Sequence, residues 1–231
     1  MQKISIRVPL ILLLIVSGMM LLSSCGKKWK EPVSTSFSFS MKETAGNPQL
    51  IFYQASLLLE KLEIEGSRKQ GEEHIFLEKT NATGIYTFSP ASPSSTISMD
   101  IPQGTYSEIT ARVFLQTDTE GSYHIEAVFI NAAGDSIPMI YKYDPETVLE
   151  VRSSSSGQSA INLIEDNSYR AKIYLNMNYL FDAVPNQSLE DAELSTVNSV
   201  PAIEIDEDNN SDIYNILAGR INQCLELTIE Q

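Results

Sequence analysis

The residues with chemistry to offer are few: His74 and His124, Cys25 and Cys224, the acidic stretch 206–212, and Tyr141 with Tyr143. The two histidines form no His-Glu-x-x-His or His-x-His arrangement, so they read as strand histidines with local partners and not as a metal pair. Serines are dense at 153–156, yet none sits in a Gly-x-Ser-x-Gly elbow. The stretch Asp206, Glu207, Asp208, Asn209, Asn210, Ser211, Asp212 begins like a calcium loop, with oxygen donors at its first, third, fifth and seventh positions. The match then breaks, because Ser211 stands where a glycine is needed and Leu217 where a bidentate glutamate belongs. Helix capping is the expected role, and no metal site is assigned. Paired carboxylates for glycoside hydrolysis are defined in space, so the 30 Asp and Glu residues carry no such signal by themselves. Tyr141 and Tyr143, two apart, project from the same strand face, where they can stack on a sugar or pack across strands; they are the candidate ligand-binding residues. With no catalytic set and no cofactor signature, the expectation is a non-catalytic module.

Positioning begins with the N-terminus. Lys3 and Arg7 precede an apolar run, 8–22, that ends in Leu22, Ser23, Ser24 and Cys25. A basic start, an apolar stretch and small residues before a cut site make a secretory signal peptide. The strongly apolar part is about 15 residues, short of the roughly 20 needed to span a bilayer. Leu22-Ser23-Ser24-Cys25 resembles the lipobox of bacterial lipoproteins, in which the cysteine thiol receives a diacylglycerol and the chain is cut just before it. The resemblance implies a signal peptide over 1–24, an acylated Cys25 as membrane anchor, and a polar tether over 25–32 that includes Lys27, Lys28, Trp29 and Lys30. Several acyl chains anchor stably where one does not. Gly26 after the cysteine does not resemble the inner-membrane retention signal of enteric bacteria, and the tether lysines do not resemble acidic surface-export signals. The expected location is therefore the outer membrane of a Gram-negative bacterium, facing the periplasm.

Charge excludes one class of partner. Removing Lys3 and Arg7 and no acid from a chain at −14 leaves −16, and the remaining basic residues form no stripe with interleaved aromatics, so nucleic acid is not expected. With Cys25 lipidated, Cys224 has no intramolecular partner, and no disulfide framework forms. Cys224 lies on the apolar face of an expected helix and reads as a small buried hydrophobe.

Most of the remaining chain is strand-like. Val33, Thr35, Phe37, Phe39 and Met41 alternate with serines, the period-two pattern of a half-buried strand. Further strands are expected at 50–53, 56–64, 74–78, 85–88, 96–101, 105–115, 123–130, 137–143, 148–151, 160–164 and 170–177, separated by Gly, Pro and Ser. Ile101-Pro102-Gln103-Gly104 fits a type I turn between two strands, and Asn131-Ala132-Ala133-Gly134 joins a hairpin. In the strand after Gly104, residues 105, 107, 109, 111, 113 and 115 are expected on one face. Near the C-terminus, short helical turns are expected at 180–184 and 189–194, a strand at 202–205, and a helix at 213–225, with Ile213, Leu217, Ile221 and Cys224 on one face.

The strand near Gly66, the Pro-Gly turn and the apolar hairpin resemble exported β-sandwich lipoproteins of unknown function, some similar to carbohydrate-binding-like or fimbrial modules. This implies a mainly β chain: a single antiparallel sandwich domain over 33–231, with a short C-terminal helix at about 211–226 docked against it. Asp135-Ser136-Ile137 resembles the acceptor of periplasmic O-glycosylation, which makes Ser136 a candidate modification site by a hairpin tip. The functional expectation is a lipid-anchored binding or structural module of the envelope, with a glycan or an envelope protein as partner. The alternatives are a fimbria-like assembly subunit and a glycan-active hydrolase.

Overall fold

One 19-residue strand, β2 (Leu50–Arg68), organises the larger of two sheets. The structure is a computed structural model that describes residues 31–42, 46–69, 73–116, 121–143, 148–153 and 160–231. Cys25, the signal segment and most of the tether lie outside the described residues. The chain is mostly β, 61% strand and 13% helical.

On one edge of β2 run β3 (Glu73–Lys79) and β4 (Gly84–Phe88), and on the other β6 (Gly104–Leu115) and β7 (Tyr123–Ile130), all antiparallel to it. β2 is thus continuous where both of its neighbours are broken. Beyond β6 lie β9 (Leu149–Arg152) and β10 (Ile161–Leu163). Beyond β7 follow β8 (Ser136–Tyr143), β13 (Val200–Ile205) and β12 (Leu194–Val197), which completes ten strands. The second sheet has four strands in the order β14 (Leu225–Glu230), β11 (Tyr169–Asn176), β1 (Pro32–Lys42), β5 (Ile97–Pro102).

The two sheets share one core that runs from Val33 to Leu227. Across it the Phe39 ring of β1 lies 6.1 Å from Phe88 and 5.7 Å from Tyr86 of β4. A wholly antiparallel arrangement does not hold: β1 pairs parallel with β11, and β8 parallel with β13. Parallel neighbours need long crossovers. Here both join segments far apart in sequence, which local patterning does not reveal.

β2 contains two register slips, and the first falls where the sequence reads as two shorter strands. Its apolar face passes from Leu50 and Phe52 to Ala55, Leu57 and Leu59, then to Leu62 and Ile64. The first change of phase falls at Tyr53, which has no opposite residue on β7, and the second at Glu60, which has none on β6. Each is a β-bulge, which inserts one residue and turns the following side chains over. A third bulge, at Ser107, changes the expected facing of β6. Tyr106 and Ile109 are both buried, whereas Thr105 and Ser107 are not. The Tyr106 ring lies on Gly66, where a Cβ would stand 2.8 Å from it.

The Pro-Gly turn is a corner and not a hairpin. β5 belongs to the four-stranded sheet and β6 to the ten-stranded one, so the chain changes sheets at Gln103. Gly104 at φ +152° makes the bend, which favours glycine. The Gln103 N–H donates to the Glu31 carbonyl at 3.0 Å, and Arg68 Nη1 donates to the Gln103 carbonyl at 3.0 Å.

The C-terminal tail also departs from the expected helix. The helix Ser211–Ala218 buries Ile213, Tyr214 and Leu217, and a short turn, Ile221–Gln223, leads into β14. β14 is an integral strand, paired antiparallel with β11 from Leu225 to Glu230. Ile213, Leu217, Ile221 and Cys224 are all buried as the helical spacing requires, but Gly219 closes the helix, and the alternation of Leu225, Leu227 and Ile229 then sets the strand period.

Candidate binding groove

The outward side of the β2, β7, β8 and β13 half is concave. Register aligns Ile51, Val128 and Pro138 in one cross-strand row, Gln54, Glu126, Ile140 and Glu204 in the next, and Ser56, His124 and Lys142 in a third. The tip of the β12–β13 hairpin brings Val197 and Asn198 to one wall. Its two turn residues, Asn198 at φ 51° and Ser199 at φ 68°, are both left-handed, as a two-residue hairpin loop requires. The groove so formed holds about 500 Å³, within the range of small-molecule sites.

Tyr53 is the groove's aromatic. It follows Ile51 onto the outward face, 53% exposed, and the bulge there lets it and Gln54 together oppose the single Glu126 on that face. Bulges are over-represented next to functional sites. Val128, Pro138 and Ile140 give the floor an apolar character, and polar groups gather at one side. Lys142 Nζ donates to Glu204 Oε1 at 2.6 Å, and His124 Nε2 stands 4.0 Å from Glu126 Oε1. An apolar strip with one exposed ring, flanked by an imidazole, an ammonium, a carboxylate and the Asn198 amide, suits a ligand with both C–H faces and hydroxyls.

Beneath the floor lies an aromatic cluster, and this is where Tyr141 and Tyr143 belong. Tyr141 is fully buried, its ring 6.4 Å from Tyr123, 6.2 Å from Tyr143, 6.5 Å from Phe181 and 6.2 Å from Tyr214. The two tyrosines do share a strand face, but it is the inner one, so the Tyr141 ring offers no outward ledge to a sugar. Tyr143 is half-buried against Tyr214 at 6.1 Å. The hydroxyls of Tyr123 and Tyr141 are buried without a hydrogen-bond partner among the described residues, and burial holds both above the usual phenol range. Burial also pushes the Cys224 thiol up to about 12, and its S–H donates to the Ile221 carbonyl at 3.0 Å.

The other sequence candidates fall apart from one another. Ser136 is exposed at the start of β8, beside a hairpin loop closed by the Asp135 N–H donating to Asn131 Oδ1 at 2.7 Å. His74 lies in the other half of the sheet, 2.6 Å from Glu65. The acidic stretch folds as a turn and does not cap the helix as expected: one Asp206 carboxylate oxygen accepts from the backbone N–H groups of Asp208 at 3.0 Å and Asn209 at 2.7 Å, both ahead of the helix, whose first turn receives no side-chain cap from Asn210. The Asn210 amide donates to the carbonyls of Glu193 and Glu204. Among the described residues no three His, Cys, Asp or Glu side chains stand together as metal ligands.

Sequence reasoning missed Tyr53, Val128, Pro138 and Ile140. The available signal was the change of apolar phase between Phe52 and Ala55, which marks a bulge at Tyr53. The chain matches no protein-family model, no curated protein and no solved structure.

Proposed function

We propose that this chain is a lipid-anchored binding module of the cell envelope that holds a glycan in the groove beside Tyr53. The observation that carries the reading is the exposed Tyr53 ring, set at the bulge beside an apolar strip and a polar rim of His124, Glu126, Lys142 and Asn198. Sugars present an apolar C–H face and a ring of hydroxyls, and this groove offers a counterpart to each. Its floor is backed by packed aromatic rings, so it is pre-formed and little is lost to ordering on binding. Anchoring through Cys25 at the periplasmic face of the outer membrane rests on the lipobox resemblance, and fatty-acid labelling that is lost in Cys25→Ala tests it.

A glycan array followed by calorimetry on the best hit tests the groove. Tyr53→Ala should weaken binding at least about tenfold, about 1.4 kcal/mol, while leaving the melting temperature unchanged. Unchanged affinity in that variant would move the site elsewhere. Turnover of a polysaccharide by the purified protein, with an empty array, would replace the binding reading with a hydrolase.

A further inference from the structure

The edge of the ten-stranded sheet at β3 lies apart from the groove. β3 pairs with β2 on one side, and among the described residues no strand pairs with its other side. Toward Lys79 that side borders a cleft of about 290 Å³, lined by Leu77, Glu78, Lys79, Ser98, Met99 and Asp100, across which lies β5 of the other sheet. Open edges are usually blunted by a proline, a bulge, a short strand or inward-pointing charge, because they invite pairing with another chain. β3 has no proline, runs seven residues without a register slip, carries inner-face charge only at its two ends, Glu73 and Lys79, and exposes Phe76 at 54% in its middle.

Its sequence, Glu73-His74-Ile75-Phe76-Leu77-Glu78-Lys79, is complementary to itself when reversed about Phe76. We infer that β3 pairs antiparallel with β3 of a second copy of this chain, on a two-fold axis at Phe76. That register sets Glu73 against Lys79, His74 against Glu78, Ile75 against Leu77, and Phe76 against its own counterpart. Opposite charges, apolar pairs and aromatic pairs directly across a ladder each favour association. Same-face pairing about a two-fold axis requires the axis to pass through a residue, so the nearest competing registers are slips of two. Centred on Ile75, the ladder sets His74 against Phe76 and Glu73 against Leu77; centred on Leu77, it sets Phe76 against Glu78 and Ile75 against Lys79. Both lose the Glu73–Lys79 ion pair and the His74–Glu78 contact.

Glu73, Glu78 and His74 already meet Arg68, Lys61 and Glu65 within the chain, and a second β3 would share these groups. On the outward face Phe76 stands opposite Glu65 of β2, while Ile75 and Leu77 are half-buried and lie opposite Gly66 and Ile64. A second β3 would cover these two at the open margin of the core and join two ten-stranded sheets into one. Such a contact is isologous, so it closes at a dimer and does not grow into a fibre. This separates it from a fimbria-like assembly, in which a donated strand passes from each subunit to the next.

Cysteine scanning along β3 of the full chain tests the register. Phe76→Cys places a thiol opposite its own copy, so oxidation should give a disulfide-linked dimer well above the level of the unchanged chain. Glu78→Cys, which faces His74, should not cross-link alone, whereas the double variant His74→Cys with Glu78→Cys should. In sedimentation the unchanged chain should run as a dimer and Phe76→Lys as a monomer with the same circular dichroism. No cross-link at position 76, equal cross-linking at 76 and 78, or a monomeric unchanged chain would each overturn the proposal, and higher oligomers would point to head-to-tail assembly instead.

Discussion

The two halves of the outward face of the ten-stranded sheet share the strand β2, yet one half is laced with charge and the other is apolar and hollow. Toward Arg68, β2 is flanked by β3, β6 and β9, and the outward side chains form a ladder. Arg112 bonds Glu65 at 2.5 Å and Glu150 at 3.0 Å, Lys61 bonds Glu63 at 2.8 Å, and His74 meets Glu65 at 2.6 Å. Toward Leu50 the same outward positions carry Ile51, Tyr53, Val128, Pro138 and Ile140. Glu60, the bulge at which the apolar phase changes, divides the two. A charged surface needs little behind it to stay in water, whereas an exposed apolar strip must be held open by something rigid. The groove half has the aromatic cluster for that purpose, which is why the two halves should fail in different ways.

The largest effect is expected under the groove. Phe181 is buried, 5.1 Å from Phe52 and 6.5 Å from Tyr141, and Phe181→Ala should cost about 3–5 kcal/mol in denaturant titration, with the ligand affinity of the groove falling as its floor loosens. A loss below about 1 kcal/mol would mean that the cluster does not support the floor. Gly66→Ala probes the core side of the charged half. Its Cβ would meet the Tyr106 ring, and the expected cost is about 1–3 kcal/mol, again read from denaturant midpoints.

Tyr123→Phe and Tyr141→Phe should act in the opposite direction. Each removes a buried hydroxyl that has no partner among the described residues, so stability should be unchanged or rise by up to about 1–3 kcal/mol. Both phenols have raised pKa values in the folded protein, so the stability they contribute is fully present below the ordinary value of 10.0 and is lost as pH rises beyond it. Melting temperatures followed into alkali should therefore fall less steeply in the Phe variants.

The smallest effect belongs to the charge ladder. Arg112→Met should cost no more than about 1 kcal/mol near neutrality, and less in high salt. Hydrogen bonds from Arg112 first, and then from Arg152, hold the Glu150 carboxyl below its ordinary value of 4.5. A lowered carboxyl contributes stability above its unfolded pKa and loses it as pH falls through the folded one. The variant and the unchanged chain should thus differ above pH 4.5 and converge in stronger acid. A cost in Arg112→Met equal to that in Phe181→Ala would erase the distinction between the halves.

Strand positions were legible because period two is a property of local sequence. Val33 to Met41 and Tyr123 to Ile130 show it without interruption, and both are strands in the structure. Sheet membership was not legible. Nothing in Ile101-Pro102-Gln103-Gly104 distinguishes a hairpin from a corner, because the difference lies in which distant strands, β1 and β2, are there to receive β5 and β6. The tail was misread for a related reason. Its buried residues fit a helical face up to Cys224, and only the pairing of β14 with β11 decides that the chain ends as a strand. The groove escaped because its key residue stands at an exception to alternation, and an exception is visible only once the strand on either side of it is known to be continuous.

The parallel pairing of β1 with β11 has a consequence for the timing of folding. The first described strand pairs early with β5, but its other edge finds β11 only near the end of the chain: the hydroxyl of Ser36 donates to the Tyr169 carbonyl across 133 positions. β11 in turn is flanked by β14, the last strand of all. During synthesis β1 must therefore keep that edge open until residues 169–176 have emerged. Long-range pairing of this kind slows folding and lengthens exposure of apolar surface. Serine at every second position of β1 keeps one whole side of the strand wettable while that edge stands open.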